Sequence, residues 1–367
     1  MLIGILLTVT ASTPNLPPRP ALARRAEHAQ DQQLTESWMS DNSNASDAVW
    51  IGFDLGGTKM LAVAYDNDLK PLGRRRRKTK GADGAESGLE RIEATIADAL
   101  EDAEVERDRV AGIGIGCPGP VDPIKGHILT AVNLGWDDVP VAAELTKRFK
   151  CPTWVLNDVD AGVYGEYRFG AARGARCAVG IFPGTGIGGG CVYDDIILHG
   201  KNITCMEIGH TRISSSSRTS GFDLTGTLEA EASRMTIAAE AAKAAYRGDA
   251  PYLLKHAGTD LSDIRSGALA QSVANGDKAI KELIESTCET IGIGVVNIVH
   301  LLAPDMIVLG GGLVEAMEEL IVSTVKKTAR RHCLEPYRNT FDVVPAKLGD
   351  DAAVLGAAAW ARKKADV

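Results

Sequence analysis

The chain has 367 residues, 45% hydrophobic and 24% charged, with 40 Lys+Arg against 48 Asp+Glu and a net charge of −8. These proportions exclude a wholly disordered chain, a fibrous repeat and a polytopic membrane protein. The acidic balance and only 5% aromatic residues do not suit nucleic-acid binding through bulk charge or a broad stacking surface.

Residues 1–47 stand apart. Met1–Thr10 is apolar but has no Lys or Arg before it, prolines follow at 14, 17, 18 and 20, and a polar stretch runs to Asp47. A secretory signal needs a basic start, so the expectation is a disordered extension or a start placed too early, with Met39 or a neighbour as the true one. No run of ~18 apolar residues occurs to span a membrane. The seven cysteines (117, 151, 177, 191, 205, 288 and 333) include no CxxC pair. That pattern predicts reduced, mostly buried thiols and a cytoplasmic location, without a disulfide framework.

The folded part opens with VWIGFDLGGTKMLAVAYDND over 49–68. Apolar runs on both sides of DLGGTK predict two strands joined by a glycine turn, followed by a second turn at Asp66-Asn67-Asp68. The glycines do not open a helix, which separates this loop from the dinucleotide fingerprint and the P-loop. Gly56 and Gly57 let backbone N–H groups face an anion, and Asp54 brings a carboxylate suited to hydrated Mg²⁺ on a polyphosphate.

Leu89, Ile92, Ile96 and Leu100 fall at helical spacing within 86–104. Val110–Gly116 reads as a buried strand running into the turn Cys117-Pro118-Gly119-Pro120. The strand–turn–strand pattern then returns over 178–195, AVGIFPGTGIGGGCVYDD. A single such hairpin is a tight β-turn and nothing more. Two with Gly-Thr and similar flanks point to a duplicated fold, a cleft between its halves, and phosphate cradles. Residues 279–302 and 313–332 read as long helices. Between them a strand ends in Gly310, Gly311 and Gly312, where backbone N–H groups could meet a purine or phosphate. Alternating strands and helices make the chain α/β.

With these residues in place, the chain resembles the ROK family of sugar kinases and regulators from about residue 49 to 362. The matching motifs occur in order: DLGGTK (54–59), GIGCPGPVDP (114–123), NLGW (133–136), LNDVDAGVYGE (156–166), GTGIGGG (184–190), EIGH (207–210), Leu228-Glu229, LGGG (309–312) and LGDDAAVLGAA (348–358). The resemblance implies a two-lobed actin/hexokinase-like (ribonuclease H-like) duplicated fold with an interlobe cleft. It places the lobes at 48–157 and 158–349, with the helix of 350–366 returning to the first. It implies ATP and Mg²⁺ as cofactors and transfer of the γ-phosphoryl group to the 6-hydroxyl of a hexose, glucose first. Asp158 would be the general base. Asn133, Asn157, Glu207, His210 and Glu229 would bind sugar hydroxyls. Gly57, Thr58, Gly184, Thr185 and Gly186 would hold phosphates, beside Asp54, Gly56 and Lys59. It also implies a homodimer.

Blander readings stand beside these. Asn157 and Asp158 are good N-caps, Glu229 alone would be a solvated helix carboxylate, and His210 alone a satisfied structural histidine. The chain also departs from the family pattern. Many members hold zinc with the EIGH histidine and three cysteines, but here the corresponding stretch is Ser220–Thr227 without a thiol, so no zinc is expected. Met206 stands where the family usually has glycine, which opens the choice of sugar. The run Arg74–Lys80 reads first as a charge-protected edge strand and alternatively as a polyphosphate track. The rival functions are a sugar-responsive regulator and a sugar-binding pseudo-kinase. The Pro-rich segment before the first strand shows no helical pair for DNA, and Asp158 and both phosphate loops are intact.

Overall fold

In the computed structural model, residues 47–366 are described; the expectation for residues 1–46 falls outside them. The first hairpin forms as its pattern predicts. Strands β1 (Val49–Leu55) and β2 (Lys59–Tyr65) pair antiparallel across DLGG, and β3 (Pro71–Lys78) continues the meander. The Asp66 turn is held by its own carboxylate, which accepts the N–H groups of Asp68 and Lys70 at 2.9 and 2.8 Å. Strands β4 (Val110–Cys117) and β8 (Thr153–Asn157) add in parallel on the other side of β1. The order across the sheet is β3-β2-β1-β4-β8.

A second sheet repeats this plan. Strands β9 (Cys177–Pro183), β10 (Ile187–Tyr193) and β11 (Ile196–Ile197) form an antiparallel meander, and β12 (Met306–Leu309) and β13 (Asp342–Pro345) add in parallel. Its order, β11-β10-β9-β12-β13, matches the first sheet strand for strand. The duplication inferred from two glycine hairpins is a duplication of topology.

Helix α1 (Ala85–Asp102) buries Leu89, Ile92, Ile96 and Leu100. A small sheet of β5 (Val121–Asp122), β6 (His127–Ala131) and β7 (Trp136–Val139) follows, then α2 (Val141–Phe149). Helix α3 (Asp158–Phe169) starts directly from β8. The second half carries α4 (Leu228–Ala232), α5 (Arg234–Arg247), α6 (Pro251–Ala257), α7 (Ser266–Ala274) and the long α8 (Lys278–Leu302). The helix expected over 313–332 is two helices, α9 (Gly312–Ala316) and α10 (Glu318–His332). They break at Met317, whose φ of −143° and ψ of 46° are not helical; the apolar spacing runs on across the break and hides it. The last helix, α11 (Ala352–Ala365), is rich in alanine, with Gly356 where it crosses α3.

Helices α3 and α11 form the middle layer. Helix α11 lies on β1 and β4, while α3 packs on β9 and β10 and against α11. A shared core results, with Tyr164 and Trp360 meeting edge to face at 5.1 Å. Backbones approach closely here: a Cβ on Gly52 or Gly114 would run into the carbonyl oxygens of Val354 or Ala357. Glu166, fully buried on α3, accepts the N–H groups of Ala171, Lys347 and Leu348 at 2.7–2.8 Å and ties the end of α3 to the approach to α11. Six of the seven cysteines are buried, Cys205 is half-buried, and all are free thiols. No helix among the described residues is long and apolar enough to cross a membrane.

Candidate functional site

The parallel strands bring the chemistry to one edge. Register places Asp54 of β1 beside Gly116 of β4, and Cys117 of β4 beside Asn157 of β8. The DLGG turn, the Cys117–Pro120 turn and the start of α3 therefore share the carboxyl edge of the first sheet, where open α/β sheets bind ligands. The second sheet does the same with other residues. Its β9–β10 turn carries Gly184, Thr185 and Gly186, and Gly310 follows β12, its N–H donated to the Ile181 carbonyl at 3.2 Å.

Asp158 is the first residue of α3, and its Oδ1 accepts its neighbour Val159's N–H at 2.9 Å. Burial pushes its carboxyl up to about 7, with the Asp54 charge adding to the rise and Glu207 contributing less. Asp158 as a whole residue is half-buried. Burial likewise raises Asp54 to about 6, helped by Asp350 and opposed by Lys59 and Arg76. Two carboxyls near neutrality at one strand edge form a site able to take up a proton or a cation.

Asn157 serves as the helix cap: its Oδ1 accepts from Val159 and Asp160, and its Nδ2 donates to the Gly119 carbonyl at 3.1 Å. The blander reading of Asn157 is thus realised, and the cap fixes where Asp158 stands. Asn133 is exposed and lies against the first glycine turn, since a Cβ on Gly57 would come 3.3 Å from the Asn133 Cβ. Thr79 closes that turn, donating its hydroxyl to Gly56 O at 2.6 Å and its N–H to Thr58 O at 2.9 Å. The Lys59 ammonium lies 3.5 Å from Asp350.

On the other lobe, burial raises the Glu207 carboxyl, opposed by His210 and reinforced by Glu229. His210 Nε2 lies 3.9 Å from Glu207 Oε2. No thiol stands at His210 in the stretch that departs from the family pattern. The Phe222 ring stands edge-on to the imidazole there, centroids 5.0 Å apart. Antiparallel bridges between Arg212 and Thr227 and between Thr219 and Thr225 pin the serine-rich loop. Met206 holds a φ of +64°, a region that favours glycine. Glu229 is committed to the second glycine turn: its Oε2 accepts the Ile187 N–H at 3.0 Å, and a Cβ on Gly186 would strike it. Gly310 is required by the Phe182 ring, and Gly311, at φ +90°, precedes α9. Gly312 opens α9 beside Ser266.

Sequence reading missed two participants. Arg234 grips the second turn, donating its N–H to Gly184 O at 2.9 Å and its guanidinium to the Thr185 hydroxyl at 3.0 Å. No motif surrounds it. Asp350 lay inside a quoted motif but was given no role, and it gathers Lys59 and Arg76. The arginine strand is the sheet edge expected of it, and its four arginines are paired. Arg74 and Arg76 reach Asp351 and Asp350, while Arg75 and Arg77 reach Asp98 on α1.

The chain is 32% identical to a glucokinase of Halalkalibacterium halodurans over 85% of this chain and 94% of that protein. It is 26% identical to a putative xylose repressor of a Caldicellulosiruptor species, over 84% of this chain and 77% of that one. A ROK family glucokinase from Streptomyces griseus, solved with glucose and AMPPNP, superposes with a TM-score of 0.74 at 29% identity, covering 86% of this chain and all of the other. The architecture is the two-lobed actin/hexokinase-like fold. The ROK family profile matches residues 50–364, so the similarity runs through both sheets and the helix pair between them, and the chain belongs to the ROK family.

Proposed function

We propose that this protein transfers the γ-phosphoryl group of ATP to the 6-hydroxyl of a hexose, glucose before others, with Asp158 as general base. The observation that carries the reading is the Asp158 carboxyl, lifted to about 7 at the edge shared by the DLGG turn and the start of α3. A base with a pKa near the working pH is the most effective. As the sugar oxygen attacks the γ-phosphorus, its proton passes to Asp158 and the bond to the β–γ bridging oxygen breaks, releasing ADP. Backbone N–H groups of Gly57–Thr58 and of the Gly184–Gly186 turn, whose Gly184 N–H is donated to Gly186 O at 2.7 Å, would cradle the phosphates from the two lobes. Glu207, His210 and Asn133 would take sugar hydroxyls. Gly310–Gly312 would lie under the nucleotide.

Mg²⁺ fits this donor set, because Asp54 supplies a carboxylate raised chiefly by burial and next by Asp350, and a bound cation would favour its charged form. When bound, it would neutralise phosphate charge near Asp54. A second reading, a sugar-responsive regulator, is favoured by similarity to repressors. A coupled ADP-release assay over a panel of hexoses, with Asp158→Ala as control, tests the proposal. Turnover lost in the variant supports it. No turnover with any hexose, together with sugar-sensitive DNA binding, favours the regulator.

A further inference from the structure

Helix α3 carries two buried carboxylates besides Asp158, and they are treated differently. Glu166 accepts three backbone N–H groups. Asp160 is 2% exposed, and its Oδ1 has no hydrogen-bond partner among the described residues. Buried polar atoms are nearly always paired, so an orphan next to a reactive group calls for a reason.

Asp160 lines a cavity of about 50 Å³ where the two lobes meet. Its walls include Leu156 of β8, Ile197 of β11, Trp360 of α11, and Thr204. Thr204 is buried too, and its Oγ1 also lacks a partner. Its backbone N–H crosses to the Val121 carbonyl at 3.2 Å, and Glu207 follows three residues later. Opposite Asp160, Gly190 of β10 leaves just enough room, since a Cβ there would come 2.9 Å from Oδ1. The volume suits one or two waters, at roughly 30 Å³ each. His199 and Lys364 also line the cavity, and with an ammonium in the wall a neutral occupant fits better than a metal cation.

We propose that Asp160 is a positioning residue: through water shared with Thr204 it holds the first turn of α3, and so Asp158, against the segment that bears Glu207. This deepens the assignment of Asp158 as base and rests on it. The geometry explains why a carboxyl is kept there unpaired by protein. Water joins two segments that must stay in register while the lobes close on substrate.

The test is steady-state kinetics with hexose and ATP on Asp160→Leu, Asp160→Asn, Thr204→Val and the Asp160→Asn/Thr204→Val pair. Asp160→Leu fills the cavity and is expected to lower kcat about 10–100-fold, the scale of a misplaced reacting group, with KM for ATP unchanged. Asp160→Asn keeps a partner for the water and is expected to recover most of that loss. Thr204→Val is expected to lower kcat in the same direction, and the pair to fall no further than Thr204→Val alone. Should Asp160→Leu fail to fold, Thr204→Val against the pair decides alone. Wild-type kcat with only a lower melting temperature, or Asp160→Asn as damaged as Asp160→Leu, overturns the proposal. Asp158→Ala separates the two readings. If that variant is inactive while Asp160→Leu keeps full kcat, only the role of Asp160 falls. If it retains turnover, the base assignment falls first.

Discussion

Gly356 of α11 crosses Ala161 of α3 so closely that a Cβ on Gly356 would fall on the Ala161 carbonyl oxygen. The contact is backbone on backbone, so no side chain can move aside. Gly356→Ala is expected to destabilise by about 1–3 kcal/mol, the range for overpacked cores. Gly162, on the same α3, is the control: a Cβ there would meet only the Ala352 Cβ at 4.0 Å. Gly162→Ala should be neutral or stabilising by up to about 1 kcal/mol. Urea midpoints of the two variants check the contrast, and equal losses would show that the crossing is not the constraint.

On the proposed assignment, Asp158→Asn removes the base and with it the cost of burying a carboxylate there. Activity is expected to fall about 10²–10⁴-fold. The folded carboxyl stands near 7 against 3.8 in the free group. The stability linked to its protonated form is complete below about 3.8 and is lost as pH rises through 7. The variant should therefore melt higher than the parent at pH 8, at about 2–4 °C per kcal/mol regained, and the gap should close by pH 4. Melting curves at both pH values decide it.

On the proposed assignment, the same carboxyl sets the rate profile. Only its ionised form accepts a proton, and the ionised fraction drops tenfold per unit below about 7. kcat/KM for the hexose is expected to rise with unit slope to about pH 7 and level off. An acid limb near 4, the ordinary aspartate range, would mean that the turning group is not this buried one.

Phe222 stands edge to face with His210, beside the sugar-binding residue proposed there. Phe222→Ala is expected to raise KM for the sugar several-fold, on the order of 1 kcal/mol for a lost aromatic pair, and to leave KM for ATP unchanged. Metal analysis of the purified protein should find well below one equivalent of zinc. Stoichiometric zinc would require ligands outside the described residues.

The arginine strand should prove electrostatically quiet. Arg75 and Arg77 share Asp98, and exposed pairs contribute about 0–1 kcal/mol. Arg75→Gln should shift the urea midpoint within that range. Charge reversal at Arg75 and Arg77 should leave turnover with polyphosphate in place of ATP where it was. A fall specific to polyphosphate would restore the track reading.

The sequence revealed most where local chemistry is short-range. Both glycine turns, their flanking strands and the stripe on α1 follow from spacing within one segment. Asp54 and Asp158 lie far apart in the chain, yet their residue types and motifs singled them out before register placed both at one edge. Less was visible where partners come from elsewhere. Arg234 reaches Thr185 across 49 positions, and nothing local marks it. Strands as short as Val121–Asp122 carry too few residues for an alternation to show. Asn157 shows the limit from the other side: the residue type fits cap and sugar ligand equally, and only its bonds to Val159, Asp160 and Gly119 show what its side chain does here.

The position of α11 bears on how the chain is made. The helix that covers the face of β1 and β4 is synthesised after every strand of both sheets. During translation that face waits, exposed, while the whole second half emerges from the ribosome, although the opposite face of the first sheet already has its own core from Val49 to Val155. Shielding that face in the interval falls to whatever the nascent chain meets, and damage near the carboxyl end would be felt at the amino-terminal turn.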